Sequence, residues 1–293
     1  MRFGLFPRSA RGADPRTPWQ KRDILVLKQI CAQRSDDLAG SPDLETLAGF
    51  ARPRHGLVPD DIPADVNRCC PVCGESDISE HRNNLSCCRA CRHIFQSDLR
   101  VTTVYDGEYA RQYDRRPHHA MSVLRWNFIQ HWLALTAGSR ILDIGYGNGA
   151  FLKFARRRGM DVFGLDVHGE DFGVPTLVRG AAGGFDLICF FDSLEHLPAF
   201  EHLFALRPSA VIVSIPDVPD YLLETPRHWR HYKPGEHLHY FSRRSLDLLM
   251  RKWGLTTKLA DGCPEDDLRG KLHIGSRVHD NIYTAIYRME PRG

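Results

Sequence analysis

The stretch Ser139-Arg140-Ile141-Leu142-Asp143-Ile144-Gly145-Tyr146-Gly147-Asn148-Gly149-Ala150 decides the fold. An apolar run ends in an acid and gives way to a glycine-rich bend that opens a helix. Gly145, Gly147 and Gly149 lack the Cβ that would obstruct a ligand, so backbone N–H groups can face it at close range. Asp143 places a carboxylate at the carboxyl end of the strand, where open α/β sheets bind their ligands. The same residues satisfy the loose dinucleotide pattern G-x-G-x-x-A through Gly145, Gly147 and Ala150. A diphosphate on this bend would be repelled by Asp143, whereas a ligand carrying an α-ammonium group gains from it. Asp166 closes the next apolar run, Asp161 to Val167, and is placed to accept hydrogen bonds from both hydroxyls of a ribose.

Working outward, strand and helix patterns alternate. Strand Arg140 to Ile144, helix Gly149 to Arg158 and strand Asp161 to Val167 are followed by strand Phe185 to Phe191, helix Leu197 to Leu206 and strand Ala210 to Ile215. Helix Ser245 to Trp253, strand Leu255 to Leu259 and strand Asn281 to Arg288 complete the series, and such alternation predicts a doubly wound parallel sheet. Ahead of it, His119 to Leu135 reads as a helix with Val123, Leu124, Trp126, Phe128, Ile129, Trp132 and Leu133 on its apolar surface.

The ungapped run Asp143-Ile144-Gly145-Tyr146-Gly147-Asn148-Gly149 resembles the first motif of class I S-adenosyl-L-methionine (SAM)-dependent methyltransferases. Phe185 to Leu197, with its Asp192-Ser193-Leu194-Glu195-His196 turn, is similar to that family's fourth strand. Pro234-Gly235-Glu236-His237-Leu238-His239-Tyr240-Phe241-Ser242 resembles the late loop of bacterial small-molecule and sugar methyltransferases. The resemblance covers roughly the C-terminal half. It implies a Rossmann-like seven-stranded sheet with the last strand inserted antiparallel, SAM as cofactor, and Asp143, Gly145, Tyr146, Gly147, Gly149, Asp166, Asp192, Glu195 and His196 around it. One departure stands out. Asp166 and Phe185 are only nineteen positions apart, where the family fits a helix and a strand ending in an adenine-contacting acid. The third strand shrinks to Thr176 to Arg179 and the adenine contact is unassigned, which leaves room for a non-catalytic domain.

Nine cysteines occur in 293 residues, six of them between Cys69 and Cys91. With no secretion signal, metal binding is the better reading than disulfides. Cys70-Pro71-Val72-Cys73 and Cys88-Arg89-Ala90-Cys91 are two C-x-x-C knuckles separated by fourteen residues. Only Cys70 and Cys88 of the doubled pairs give this spacing. Cys70, Cys73, Cys88 and Cys91 are therefore the expected ligands of a structural Zn2+, the metal replacing the core that so short a module lacks. His81 and His93 read as surface residues, and Cys31, Cys189 and Cys263 as small buried hydrophobes. Similar ribbons precede methyltransferase domains in bacterial sugar-modifying enzymes, and cysteine-rich modules also occur in some ribosomal RNA methyltransferases.

The predicted organisation is a basic, Pro/Gly-rich arm with short helices over residues 1–62, a zinc ribbon over 63–100, a helical connector over 101–138 and the methyltransferase domain over 139–293. Lys21 to Gln33 and Leu44 to Phe50 read as helices. In the connector Tyr105, Tyr109 and Tyr113 share one helical face. The net charge of +3 is small, so no strong general attraction to nucleic acid or membrane is implied. No run reaches the ~20 apolar residues of a membrane span, and a cytoplasmic protein is expected.

Methyl transfer to a hydroxyl needs a base to take its proton, and histidine, with an ordinary pKa of ~6.5, suits neutral pH. His237 and His239 are the candidates, alternate residues on one side of an extended segment. Trp229, Arg227 and Arg230 lie on the loop before them. The expected function is methyl transfer to a small-molecule or sugar acceptor, on oxygen. Its alternatives are an RNA methyltransferase gripping RNA through the ribbon, and a scaffold that kept the fold without the activity. The sequence is silent on the oligomeric state.

Overall fold

A computed structural model describes residues 69–99, 101–103, 118–166, 184–200, 203, 206, 208–274 and 277–290. The expected arm, its helices, the tyrosine face and the strand Thr176 to Arg179 lie outside the described residues. Three short strands come first: β1 (Ile78–His81), β2 (Leu85–Cys88) and β3 (Ile94–Gln96). Helix α1 (His118–Trp132) then leads into β4 (Arg140–Ile144), α2 (Ala150–Arg156), β5 (Asp161–Leu165), β6 (Leu187–Phe191) and β7 (Ala210–Pro216). The two-residue strand β8 (His239–Tyr240), α3 (Arg243–Lys252), β9 (Thr257–Gly262), the single turn α4 (Asp266–Arg269), the hairpin β10 (Leu272–Ile274) and β11 (Arg277–His279), and β12 (Ile282–Arg288) complete the chain.

Six strands, in the order β5-β4-β6-β7-β12-β9, form the main sheet among the described residues. The β4–β5, β4–β6 and β6–β7 pairs are parallel. The last strand inserts antiparallel between β7 and β9, as the family resemblance implied. Strands β6 and β7 are buried at every position, as expected of strands covered on both faces. On one side α1 packs on α2, with the rings of Trp126 and Phe154 6.3 Å apart. On the other, α3 lays Leu246, Leu249 and Met250 on the core. Its start is fixed by Ser242, whose side chain accepts a hydrogen bond from the Ser245 N–H.

One expectation fails. The helix predicted over Leu197 to Leu206 is not formed at 197–200; instead a 3-10 turn, Leu194–His196, follows β6 directly. Strand β8 joins β1, β2 and β3 as a fourth strand, Ile94 opposite Tyr240 and Phe95 opposite His239. The ribbon also shares the main core, since Cys70, Val72, Cys88 and Cys91 pack in the same cluster as Phe241, Leu246 and Met250. No helix among the described residues is long and apolar enough to cross a membrane.

Candidate functional site

The bend after β4 has the backbone that its glycines predict. Gly145, Gly147 and Gly149 all have positive φ, at 78°, 55° and 69°. They are not equivalent. A Cβ on Gly145 would lie 2.5 Å from the Cβ of Ser193, whereas one on Gly147 would meet nothing within 4 Å. Gly145 is thus fixed by the turn after β6, and Gly147 faces open space. Asp143 stands in register between Gly164 of β5 and Cys189 of β6. Its carboxylate is buried and its Oδ1 has no hydrogen-bond partner. Burial pushes its pKa up to about 7. Asp166 reaches back to the bend, Oδ2 accepting from the Gly147 N–H at 2.9 Å. The Tyr146 side chain is buried against Gly164, where a Cβ would approach its Cδ1 to 2.5 Å, so only its backbone belongs to the bend's open face.

A second cluster lies beyond β6. Glu195 and His237 are buried, His196 is partly buried, and one ligand-capable atom of each falls within 4.8 Å of the others. The rings of His196 and His237 meet edge to face at 4.7 Å. Neither carboxylate oxygen of Glu195 nor Nδ1 of His237 has a hydrogen-bond partner. Burial, reinforced by Asp192, holds Glu195 well above the ordinary carboxylate range. Burial also holds His237 well below 6.5 and His196 down at about 4, so both imidazoles are neutral at pH 7. Glu195, Ile215, Pro216, Trp229, His237 and Tyr240 line a crevice here that is too tight to admit a water. The Trp229 indole N–H, also buried, is unpartnered. Arg227 and Arg230, expected beside it, are exposed.

His239 is corrected. It lines the same crevice, but its Nε2 is 2.9 Å from the Leu197 carbonyl and must donate to it. Its Nδ1 therefore accepts from Nε2 of His93, 3.0 Å away. Both nitrogens are engaged, the ring is buried, and burial holds its pKa at about 3, so no lone pair is left for a substrate proton. His93, read from sequence as a surface residue, is fully buried. Asp192 is also placed differently from expectation. Arg269 donates to both its oxygens, at 2.8 and 2.7 Å, and Arg125 stands 3.7 Å away. Arg125 and Arg269 share the buried Glu265, the former in a bidentate pair of 2.7 and 3.2 Å. Burial pushes Glu265 up, but the two guanidinium groups bring it net below the ordinary range. Sequence reasoning missed this network. Only Arg125, the one Arg, Lys, Asp or Glu in helix α1, gave a signal.

The thiols of Cys70, Cys73, Cys88 and Cys91 converge. Their sulfurs all lie within 4.8 Å of one another, with Cys70–Cys91 and Cys73–Cys88 both at 3.5 Å. Cys69 and Cys87 stay outside this group, and Cys189 is buried in β6 as expected. Cys263 is only partly buried; it packs against the edge of the core and gathers with Asp217 and Asp280.

Residues 109–258, slightly more than half of the 293, match the family described as "Methyltransferase domain". The chain belongs to this methyltransferase family. The ubiquinone biosynthesis O-methyltransferase of Acinetobacter baumannii (strain AYE) is 27% identical to it over 125 residues, 34% of this chain and 53% of that protein. The protein of that name from Acinetobacter baylyi is 30% identical over 103 residues, 28% of this chain and 43% of its own length. The methyltransferase-domain chain thus spans about half the length of the curated relatives it matches. The crystal structure of a SAM dependent methyltransferase from Archaeoglobus fulgidus aligns at 17% identity with a TM-score of 0.44, covering 62% of this chain and 100% of that one.

Proposed function

We propose that this protein transfers a methyl group from SAM to an oxygen of a small-molecule acceptor. The observation that carries this reading is the buried, unpartnered Oδ1 of Asp143 beneath a bend whose central glycine faces open space. An orphaned buried carboxylate oxygen is costly unless a donor reaches it, and an α-ammonium group is such a donor. The pocket fits SAM on this count. Asp143 would hold the ammonium, Asp166 the ribose hydroxyls, and the Gly145–Gly149 backbone would border the cofactor. SAM supplies an activated methyl group on a sulfonium leaving group. What remains for the chain is alignment of the acceptor and disposal of its proton. His237, neutral and with Nδ1 unengaged, is suited to take up the acceptor's proton, and the carboxyl of buried Glu195 lies within 4.8 Å of the cluster's imidazole atoms. Asp192 is assigned to the arginine network instead of the cofactor. Acceptor chemistry on oxygen is supported by the names of the curated relatives.

A structural Zn2+ is proposed at Cys70, Cys73, Cys88 and Cys91. Tetrahedral Zn–S bonds of about 2.3 Å place sulfurs about 3.8 Å apart, close to the 3.5 Å of the two nearest pairs. The four-part organisation read from sequence is kept as part of this proposal, with β8 crossing from the methyltransferase part to the ribbon sheet. That pairing covers the β3 edge, which favours the small-molecule reading over one in which the ribbon grips RNA.

Calorimetry tests the central assignment. SAM should bind the wild type, and Asp143→Ala should weaken it by roughly two orders of magnitude. Undiminished affinity in that variant overturns the assignment. Binding should also weaken as pH falls through about 7, where the Asp143 carboxylate takes up its proton.

A further inference from the structure

The ribbon and the histidine cluster meet at one residue. The carbonyl of Leu238 accepts from the Gln96 N–H of the ribbon at 2.8 Å, and the Leu238 N–H donates to the Glu195 carbonyl at 2.9 Å. Side chains repeat the connection. His93 donates to His239, which donates to the Leu197 carbonyl, one residue past the Leu194–His196 turn. The Gln96 side chain donates to the Tyr240 hydroxyl at 2.8 Å. His93 is in turn set by a knuckle: its carbonyl accepts from the Cys88 N–H at 2.9 Å, and it follows Cys91 by two residues. Both knuckles are also tied to α3, through Lys252 to the Val72 carbonyl and Arg244 to the Ala90 carbonyl.

We propose that His93 and Gln96 of the ribbon are positioning residues that hold His237–Phe241 against the Leu194–His196 turn, so that the ribbon sets the geometry of the acceptor side. The inference rests on the proposed function only in naming that side. Among the described residues the glycine bend has no direct hydrogen bond to the ribbon: it touches the turn after β6 through Ser193, and the Gly147 N–H donates to Asp166. The ribbon therefore acts directly on the acceptor half of the site and reaches the glycine bend indirectly, through Ser193. His237 and Glu195 both belong to that half, and a base displaced by an ångström loses much of its effect.

Amide hydrogen exchange on the full zinc-loaded chain tests this, with zinc content and SAM affinity measured on the same samples. In His93→Phe, which keeps a ring but no donor, residues 237–241 should exchange about tenfold faster, while Arg140–Ile144 and SAM affinity change by less than about twofold. Gln96→Leu should act in the same direction, and His93→Gln, which restores a donor, should recover protection. Unchanged exchange at 237–241 overturns the proposal. So does equal acceleration in β4 with loss of SAM affinity, because the ribbon would then support the whole domain. Should His93→Phe fail to fold, wild type stripped of zinc by EDTA supplies the same comparison. A wild type that binds no SAM refutes the proposed function, yet the contrast in exchange between 237–241 and β4 still decides this one.

Discussion

The two halves of the candidate site are built in opposite ways. The bend from Asp143 to Gly149, with Asp166, comes from one strand-turn-helix-strand unit of twenty-four consecutive residues. Its geometry is local: three left-handed glycines, one buried acid, and a carboxylate that closes back on the bend. The histidine pocket draws on residues 93–96, 194–197 and 229–241, and the arginine network beside it on Arg125, Asp192, Glu265 and Arg269. The first half lies within a short segment, with Ser193 and β6 packed against it. The second exists only if distant segments are brought together, as the His93–His239, Arg269–Asp192 and Arg125–Glu265 pairs show.

The comparison breaks most visibly at the proposed zinc site. With zinc held there, Cys88→Ser should cost roughly 4 kcal/mol and lower the thermal midpoint by about 10 °C or more, because metal binding at a structural site is folding energy. Scanning calorimetry with zinc analysis measures it, and an unchanged midpoint would separate the ribbon from the fold. Next comes the arginine network: Arg269→Met leaves Asp192 and Glu265 short of a cation and should destabilise by about 3 kcal/mol in denaturant unfolding. Glu265 is held below its ordinary pKa, so the stability it contributes is present above its unfolded value and lost as pH falls. That acid sensitivity should shrink in the variant.

Asp143 carries the opposite sign. Its folded pKa of about 7 lies above the unfolded value of 3.8, so its contribution is full below about 4 and lost as pH rises to about 7. Asp143→Asn should therefore unfold about 1–3 kcal/mol later than wild type at pH 8 in the absence of SAM, and show no such gain at pH 4. An equal effect at both pH values would mean that the carboxylate is not the strained group. The glycines sharpen the contrast further. Gly145→Ala should cost about 2 kcal/mol through its contact with Ser193, and Gly147→Ala only about 1 kcal/mol while impairing SAM binding. The smallest effect belongs to the exposed Asp77–Arg89 pair, 3.3 Å apart; Arg89→Ala should change stability by less than about 0.5 kcal/mol.

Much of the molecule was legible from its residues. The strands β4, β6, β7 and β12 and the helices α1, α2 and α3 stand within a few residues of their predicted bounds. Periodicity and caps are short-range signals, and glycines that need positive φ announce themselves. The four converging cysteines were also legible, because two thiols on one tight turn leave little choice of geometry. The helix after β6 was misread at 197–200: Leu197, Phe200 and Leu203 show helical spacing, yet after the short turn Phe200 is buried from non-helical backbone. His239 and His93 were misread because a histidine in sequence carries no mark of what it will face.

By itself, then, the sequence determined the alternating α/β order, the acid-and-glycine bend and the cysteine knuckles, since each depends on contacts within a few residues of chain. Only the tertiary structure decided that the ribbon's sheet takes β8 as its fourth strand, that Asp192 belongs to Arg269, and that His239 is tied while His237 keeps a nitrogen free. Those outcomes turn on burial and on hydrogen-bond partners up to 146 positions apart. The free energy of a polar group is set by which donor or acceptor reaches it once water is excluded, and that is fixed only when the chain has folded.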